Sequence, residues 1–190
     1  MPASDQGIHP ERYQLIPRVL CFITRGREVL LLKGAPAKRI WANKYNGVGG
    51  HVERGEDFYS AARREIIEET GLTVRNLRFR GAINIDAGQA VGIGIFVFTA
   101  VSDSGETVSS GEGMLEWVPF EQIGQRDLVE DLPGLLPKVL AMTDDAPRPG
   151  YTVLLLLGFG LWIGLGAALA LGGLGPDDRL RRPQALLAAA

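Results

Sequence analysis

The sequence contains a single cysteine, Cys21, so an intramolecular disulfide cannot form and a disulfide-stabilised fold is excluded. This lack of disulfides favours a reducing compartment. Cys21 lies in the apolar run VLCFIT. We therefore expect it to be a small core residue rather than a nucleophile or a metal ligand. The first residues also lack the basic stretch and the apolar core of a secretory signal, so we do not expect secretion.

An excess of positive charge is also missing. Lys and Arg number 20 against 22 Asp and Glu, which gives a formal net charge of −2. A surface that binds nucleic acid is normally basic, so a nucleic acid polymer is not an expected partner. If the ligand carries phosphates, their charge must be balanced by bound metal ions and by a few local cations.

The longest uncharged stretch lies near the C-terminus and divides the chain. The total length of 190 residues allows one domain of about 100–150 residues with an appendage. Composition changes predict the following division: a lead-in over 1–12, a folded domain over 13–143, a Pro-rich linker over 144–150, an apolar segment over 151–175 and a short tail over 176–190.

The stretch around which the domain is organised reads GGHVERGEDFYSAARREIIEETGL, from Gly49 to Leu72. Its second half has the pattern of a helix over 57–70. Gly55 is a loop residue before the helix, Glu56 and Asp57 are expected in its acidic first turn, and Gly71 ends it.

Three glutamates share one face of this helix. Glu65, Glu68 and Glu69 stand at positions i, i+3 and i+4, so their carboxylates repel one another. They also lie near the helix C-terminus, where the helix dipole disfavours anions. Arg64 is the one nearby cation that can offset this charge. An all-oxygen cluster of this kind favours a hard divalent cation, Mg²⁺ with Mn²⁺ as the alternative.

The same stretch matches the Nudix signature G-x5-E-x7-R-E-U-x-E-E-x-G-U, in which U is aliphatic, at every specified position. The matching residues are Gly50, Glu56, Arg64, Glu65, Ile66, Glu68, Glu69, Gly71 and Leu72. The chain therefore resembles the Nudix hydrolases. The resemblance implies an α/β fold, an α/β/α sandwich with a mixed sheet. We expect its strands near 13–24, 29–33, 73–86, 90–102 and 114–118, and a second helix near 131–142.

The resemblance also implies roles. Nudix hydrolases cleave nucleoside diphosphates linked to another moiety. Glu65, Glu68, Glu69 and the Gly49 carbonyl would hold Mg²⁺, and Arg64 would orient Glu68. In the branch that cleaves oxidised nucleoside triphosphates, a metal-binding or basic glutamate matches Glu112, which lies five residues before Trp117. Glu116 competes for that role. The general base is Glu65 or Glu112.

The residues around the signature suggest the substrate. The run from Tyr45 to Gly50, YNGVGG, resembles the residues that lead into the signature in 8-oxo-dGTP diphosphatases, in which the residue matching Asn46 binds the base. ADP-ribose pyrophosphatases have Leu-Pro-Gly-Gly at this place, and that sequence is absent here. Asp131 and Glu130 would stand for two base-binding acids, whereas Val129 stands where that branch has a stacking Trp. His51 is expected to be a surface residue or a support of the site.

The loop predicted over 34–44 lies beside a group of cations. Its candidates for contact with the distal phosphates are Lys33 first, then Lys38, Arg39 and Lys44, and the alternative is that these are ordinary surface residues. The resulting prediction is a Mg²⁺-dependent nucleoside triphosphate diphosphohydrolase with 8-oxo-dGTP as the first substrate. Two alternatives remain: a pyrophosphatase of nucleotide sugars or dinucleotides, and a non-catalytic nucleotide-binding module held at a membrane.

The apolar segment over 151–175 contains no charged residue. As a helix it would span about 37 Å, against about 30 Å of hydrocarbon, so we expect a membrane-spanning anchor. A ladder of small residues along it would allow packing against another helix in an oligomer: Gly160, Gly164, Ala168 and Gly172. The alternative is a tail that packs on the domain or in an oligomer.

The charges after this segment and the expected substrate disagree on orientation. Arg179, Arg181 and Arg182 favour a cytoplasmic tail, whereas a nucleotide substrate favours a cytoplasmic catalytic domain. We give priority to the substrate, because a folded domain without a signal is not expected to cross. The sequence therefore predicts a cytoplasmic catalytic domain that is anchored to a membrane through 151–175.

Overall fold

The computed structural model describes residues 3–7, 9, 11–86, 88–108, 111–142 and 150–154, with the backbone alone for 3–4 and 150–154. Two helices and seven strands are found there: β1 Gln14–Arg25, β2 Glu28–Gly34, β3 Tyr45–Asn46, α1 Phe58–Thr70, β4 Arg75–Asp86, β5 Val91–Val101, β6 Gly113–Pro119, α2 Leu132–Ala141 and β7 Gly150–Leu154. Short 3₁₀ turns cover Ala3–Gln6 and Phe120–Gln125.

All seven strands belong to one mixed sheet. Its order is β3-β2-β1-β5-β4-β7, and β6 also pairs with β2. β1 runs parallel to β5 and β4 runs parallel to β7, whereas the remaining pairs are antiparallel. The expected α/β fold with a mixed sheet is confirmed. The short strands β3 and β7 were not expected, because neither carries a period-two pattern of useful length.

The core lies on both faces of the sheet, and β1 separates its two halves. Alternate residues of a strand point to opposite faces. Val19, Cys21 and Ile23 therefore pack with α1 through Ala61, Ala62 and Ile66. Leu20 and Phe22 pack on the other face with α2. Cys21 is fully buried, as expected, and this burial raises the pKa of its thiol.

Helix α1 begins one residue later than expected. Asp57 is its N-cap and accepts hydrogen bonds from the backbone N–H groups of Tyr59 and Ser60. The expectation of an acidic first turn is therefore wrong, because Asp57 precedes the first turn and the turn itself contains no acidic residue. The Asp57 carboxylate instead satisfies N–H groups that the helix leaves unpaired. Gly71 ends the helix as predicted, with φ 71° and its N–H bonded to the Ile67 carbonyl.

The C-terminal expectation needs correction where the structure describes it. Residues 151–154 form part of β7 and pair in parallel with Ile83–Asp86 of β4, so a helix that begins at 151 is wrong. The outer edge of β4 supplies hydrogen-bond partners for this β-branched and aromatic stretch. Residues 155–175, the small-residue ladder, the linker up to 149 and the tail lie outside the described residues. In the part of the chain with described structure, no helix has the length and apolarity to cross a membrane.

The segment from Gly47 to Val52 runs against β1 at close range. The Val19 N–H donates to the Gly50 carbonyl at 2.9 Å, and the Cys21 N–H donates to the Val48 carbonyl at 2.7 Å. Gly49 has φ 154°, and a Cβ there would lie 2.1 Å from the Val19 carbonyl oxygen. The segment can follow this path because glycine lacks the atom that would collide.

Gly49→Ala should therefore destabilise the protein by more than about 2 kcal/mol, since it adds a backbone collision to an unfavourable φ. Gly55→Ala is the matched control: its φ is 84°, but nothing lies within 4 Å of the added Cβ. That variant should lose only about 1 kcal/mol. Urea unfolding of both variants measures the difference, and equal losses would show that the contact with Val19 does not matter.

Candidate active site

One cavity of about 470 Å³ collects most of the candidate residues. Part of its lining is polar and includes Arg18, Gly49, Gly50, His51, Glu53, Glu65, Glu69 and Glu112. The lining also includes the aliphatic residues Leu20, Ile85, Ile93, Ile95 and Val129, and the polar residues Asn46, Glu130 and Asp131. The cavity thus combines the carboxylates of the signature helix with aliphatic side chains, an amide and the two acids that precede α2.

Glu69 is the most buried of the three helix carboxylates, with 9% of the residue exposed. It accepts a hydrogen bond from the Gly49 N–H at 3.0 Å. Burial, with a smaller contribution from the charges of Glu65 and Glu112, raises its pKa to about 7, although the Gly49 hydrogen bond and Lys38 oppose the shift. Negative charge at Glu69 is therefore costly without a nearby cation.

Glu65 lies against the glycine segment. Its Oε1 accepts a hydrogen bond from Nη1 of Arg64 at 2.8 Å. A Cβ added at Gly50 would lie 2.4 Å from the same oxygen. The absence of a side chain at Gly50 therefore gives the Glu65 carboxylate its place at the cavity wall.

Arg64 connects the acidic residues. It donates to both carboxylate oxygens of Glu56 at 3.0 Å, to Glu68 at 3.0 Å and to the His51 carbonyl at 2.9 Å, besides Glu65. These bonds, the one to Glu56 first, raise the pKa of Arg64. The expected contact between Arg64 and Glu68 is present. Glu68 itself is 58% exposed and does not line the cavity.

The two downstream glutamates lie in different places. Glu112 borders the cavity, and its Oε2 lies 2.5 Å from Nζ of Lys38. Glu116 lies outside the cavity lining and accepts hydrogen bonds from the Tyr45 hydroxyl at 2.6 Å and from Arg126. The Tyr45 bond is the main reason that the pKa of Glu116 is lowered. The geometry therefore favours Glu112 over Glu116 as a site residue.

The donors at this wall fit a hard divalent cation. Glu65, Glu69 and Glu112 offer oxygen ligands only, and Gly50 leaves room for the Glu65 carboxylate. Among the described residues, no group of three Asp, Glu, His or Cys side chains is drawn together as a formed metal centre would require. The ligand roles of Glu65, Glu68, Glu69, Glu112 and the Gly49 carbonyl therefore stay predictions.

The predicted base-binding residues share the cavity lining with the aliphatic residues. Oδ1 of Asn46 accepts a hydrogen bond from the Gly47 N–H at 2.8 Å, which fixes the amide. Burial raises the pKa of Asp131, and the charge of Glu130 adds to this. The hydrogen bond from Lys44 lowers the pKa of Glu130. The two acids thus differ, because Asp131 is shielded from solvent whereas Glu130 has a cation beside it.

The three lysines predicted to contact phosphates have different partners: Lys44 and Lys38 contact acidic residues, and Lys33 contacts an aromatic ring. Nζ of Lys44 lies 2.6 Å from Oε1 of Glu130, and both residues line the cavity. Lys38 also lines it, through its contact with Glu112. Nζ of Lys33 lies 5.6 Å from the centroid of the Tyr45 ring, and Lys33 is not part of the lining. A phosphate contact of Lys33 stays a prediction without support from the geometry.

Sequence reasoning missed several residues of the cavity wall, among them Arg18, Glu53 and Trp41. Arg18 donates from Nε and Nη2 to Nε2 of His51 at 3.2 and 2.9 Å, so Nε2 is an acceptor. A lone arginine in an apolar strand was the signal that could have revealed it. Trp41 also lines the cavity. It lies in an irregular loop without periodicity, so the sequence offered no comparable signal.

Comparison with known proteins identifies relatives of this chain. The model of the family described as NUDIX domain matches residues 14–139. The oxidized purine nucleoside triphosphate hydrolase of Danio rerio is 35% identical over 105 residues, which cover 52% of this chain and 67% of that protein. The NAD-capped RNA hydrolase NudC of Pseudomonas syringae is 31% identical over 146 residues, which cover 72% of this chain and 48% of NudC. The crystal structure of the MutT protein from Bacillus halodurans has a TM-score of 0.64 at 26% identity and covers 77% of this chain and 94% of that one.

Gly50→Ala provides a test of the acidic wall. The added Cβ meets the end of the flexible Glu65 side chain, which can move at little cost, so the melting temperature should change by less than about 3 °C. The displaced carboxylate should weaken Mn²⁺ binding by about tenfold or more. Titration of the protein with Mn²⁺, followed by electron paramagnetic resonance, measures this. Unchanged Mn²⁺ affinity would show that Glu65 is not a ligand.

Proposed function

The chain belongs to the NUDIX domain family and is a Nudix hydrolase, and on this premise we propose that it cleaves a nucleoside triphosphate to the monophosphate and pyrophosphate. The first proposed substrate is 8-oxo-dGTP or a related dNTP. One observation carries the proposal: Asn46 and Asp131 line the same cavity as Glu65 and Glu69. A purine and its phosphates would fit these two groups.

The pocket offers the polar groups that a purine edge requires. An amide donates and accepts hydrogen bonds, and the Asn46 Oδ1 contact with Gly47 leaves its NH₂ group as a donor. The raised pKa of Asp131 lets this carboxyl keep its proton to a higher pH than an exposed one. A protonated carboxyl donates as well as accepts. Aliphatic residues around both groups supply the apolar contact area.

Divalent metals such as Mg²⁺ are used by Nudix hydrolases in general. In this chain we assign Mg²⁺, with Mn²⁺ as the alternative, to Glu65, Glu68, Glu69, Glu112 and the Gly49 carbonyl. When bound, such an ion would lower the pKa of the attacking water and neutralise charge on the phosphates. Arg64 holds Glu65 and Glu68 in place by its hydrogen bonds, so its proposed role is to position these carboxylates rather than to contact substrate.

A carboxylate at the cavity must also accept a proton from the attacking water. Such a general base contributes typically about 10²–10⁴-fold to the rate. Glu65 and Glu112 both border the cavity, and each is paired with a cation, Arg64 and Lys38 respectively. We propose that one of these two glutamates, Glu65 or Glu112, accepts the proton.

A second candidate function keeps the chemistry and changes the substrate to a nucleotide sugar, a dinucleotide or another nucleoside diphosphate derivative. The observation in its favour is that the NudC match covers more of this chain than the oxidized purine hydrolase match. A non-catalytic nucleotide-binding module is disfavoured, because every carboxylate of the Nudix signature is present and such a module would not need them.

A substrate panel separates these proposals. The purified chain with Mg²⁺ should release pyrophosphate from 8-oxo-dGTP with a higher kcat/KM than from dGTP, ADP-ribose, NADH or a sugar nucleotide. Higher kcat/KM for a diphosphate-linked substrate would support the second function instead. Absence of product with every substrate, combined with nucleotide binding, would support the non-catalytic module.

Glu68→Gln should lower turnover at least about a hundredfold while the fold remains, because an amide replaces the carboxylate without a change of shape. Initial rates with 8-oxo-dGTP and circular dichroism measure the two parts. Glu121→Gln, at an exposed glutamate outside the cavity, is the matched control and should keep the wild-type rate. Normal turnover of Glu68→Gln would refute its assignment as a ligand.

Asn46→Ala should lower kcat/KM for 8-oxo-dGTP by about tenfold or more, because the base loses an amide partner inside the cavity. A generic diphosphate ester without a purine should be affected less than about twofold. Asn46→Asp keeps an oxygen for the Gly47 N–H but removes the NH₂ donor, so it should resemble Asn46→Ala. Steady-state kinetics on both substrates measure this, and equal losses on both would exclude base recognition by Asn46.

A further inference from the structure

The cavity that contains Asn46 is also lined by a tryptophan that the function described above does not use. Building on the proposed function, we infer that Trp41 forms the surface on which the substrate base stacks. Glu130 and Lys44 act with it as positioning residues. The ligand class is a flat heteroaromatic ring that carries phosphates.

The composition of the wall is the first observation. Within the described part of the chain, Trp41 is the one Trp, Tyr or Phe residue among the cavity-lining residues. The same lining includes Val129, Glu130 and Asp131. Trp41 is also 41% exposed, so a base that covers it would remove aromatic surface from water. The other aromatic ring in the lining is the imidazole of His51, to which Arg18 donates two hydrogen bonds. Bases stack on aromatic side chains with a gain that aliphatic contact area does not give.

The backbone at Trp41 is the second observation. Its φ is 61°, in the left-handed region that a bulky side chain rarely adopts. The conformation is held by hydrogen bonds from the Lys44 N–H to the Trp41 carbonyl at 3.2 Å and from the Gly34 N–H to the Lys44 carbonyl at 3.0 Å. The Trp41 carbonyl also lies so close to Gly34 that a Cβ there would be 2.6 Å away. An unfavourable conformation that its surroundings enforce is often found where a side chain is aimed at a ligand.

The contacts of Lys44 are the third observation. Nζ of Lys44 donates to Oε1 of Glu130 at 2.6 Å, and the Lys44 backbone N–H donates to the Trp41 carbonyl. Glu130 is thus joined through Lys44 to the loop that carries Trp41, and this connection helps to hold the loop in place before a ligand arrives.

This arrangement gives Glu130 a different role from the one that the sequence suggested. Its carboxylate binds Lys44, whose backbone N–H bonds to the Trp41 carbonyl, so we assign Glu130 to positioning of the Trp41 loop, while Asp131 and Asn46 recognise the edge of the base. Face and edge of the base would then be contacted by different residues. Loss of Glu130 should weaken base binding only through Trp41.

The test compares the binding of α,β-methylene-dGTP to the full chain and its variants by calorimetry. Trp41→Ala should weaken binding by about tenfold or more, whereas Trp41→Phe should keep most of the affinity. In the hydrolysis assay, Trp41→Ala should raise KM by a similar factor and change kcat less than about twofold. Glu130→Ala should weaken binding in wild-type protein but add little in the Trp41→Ala background.

Two controls separate stacking from damage to the fold. Ile40→Ala changes an exposed neighbour outside the cavity lining and should leave binding unchanged. Binding of 2-deoxyribose 5-triphosphate, which has no base, should be equal in wild type and Trp41→Ala. Melting temperatures of all variants are measured alongside.

The outcomes distinguish this inference from the proposed function. Equal affinity of wild type and Trp41→Ala for α,β-methylene-dGTP would overturn the role of Trp41, and so would equal weakening with the base-free compound. Hydrolysis of 8-oxo-dGTP by wild type would in that case still support the proposed function. Trp41-dependent binding without hydrolysis of any nucleoside triphosphate would keep the inference and refute the proposed reaction. Failure of wild type to bind the analogue would overturn the inference.

Discussion

The close contact between the glycine segment and β1 determines where the acidic residues lie. A Cβ at Gly49 would collide with the Val19 carbonyl, and one at Gly50 would collide with the Glu65 carboxylate. Glycine at both positions lets the segment lie between β1 and α1. The Gly49 N–H then bonds to Glu69, and the Glu65 carboxylate reaches the cavity. The positions of Glu65 and Glu69 in the candidate active site therefore depend on this backbone packing.

The three helix glutamates repeat at regular spacing, but their surroundings differ. Arg64 donates hydrogen bonds to Glu65 and Glu68. Glu69 receives no bond from Arg64 among its described contacts, and burial outweighs the single Gly49 N–H, so its pKa rises to about 7. A cation at this wall would offset the cost of negative charge at Glu69. Spacing alone predicts a shared face but not this difference in electrostatic cost.

Local signals in the sequence predicted the parts that depend on neighbouring residues. The helix stop at Gly71 and the burial of Cys21 follow from residues a few positions away. The parts that depend on distant partners were missed or wrong. The strand at 151–154 exists because β4 has an open edge. Lys33 lies on β2, and its Nζ lies over the ring of Tyr45 on the paired strand β3. Neither partner can be recognised from a periodic pattern, because the contacts join segments far apart in sequence.

The short strand β3 connects the proposed base pocket to the acidic wall. The Tyr45 N–H donates to the Asp127 carbonyl at 2.8 Å, and the Val129 N–H donates to the Tyr45 carbonyl at 3.0 Å. These bonds tie the segment before α2, which carries Asp131, to the chain that continues through Asn46 into the glycine segment. Displacement of that segment would therefore disturb the proposed base pocket and the acidic wall together. Because the connection is made by backbone bonds, it does not depend on which side chains line the proposed pocket.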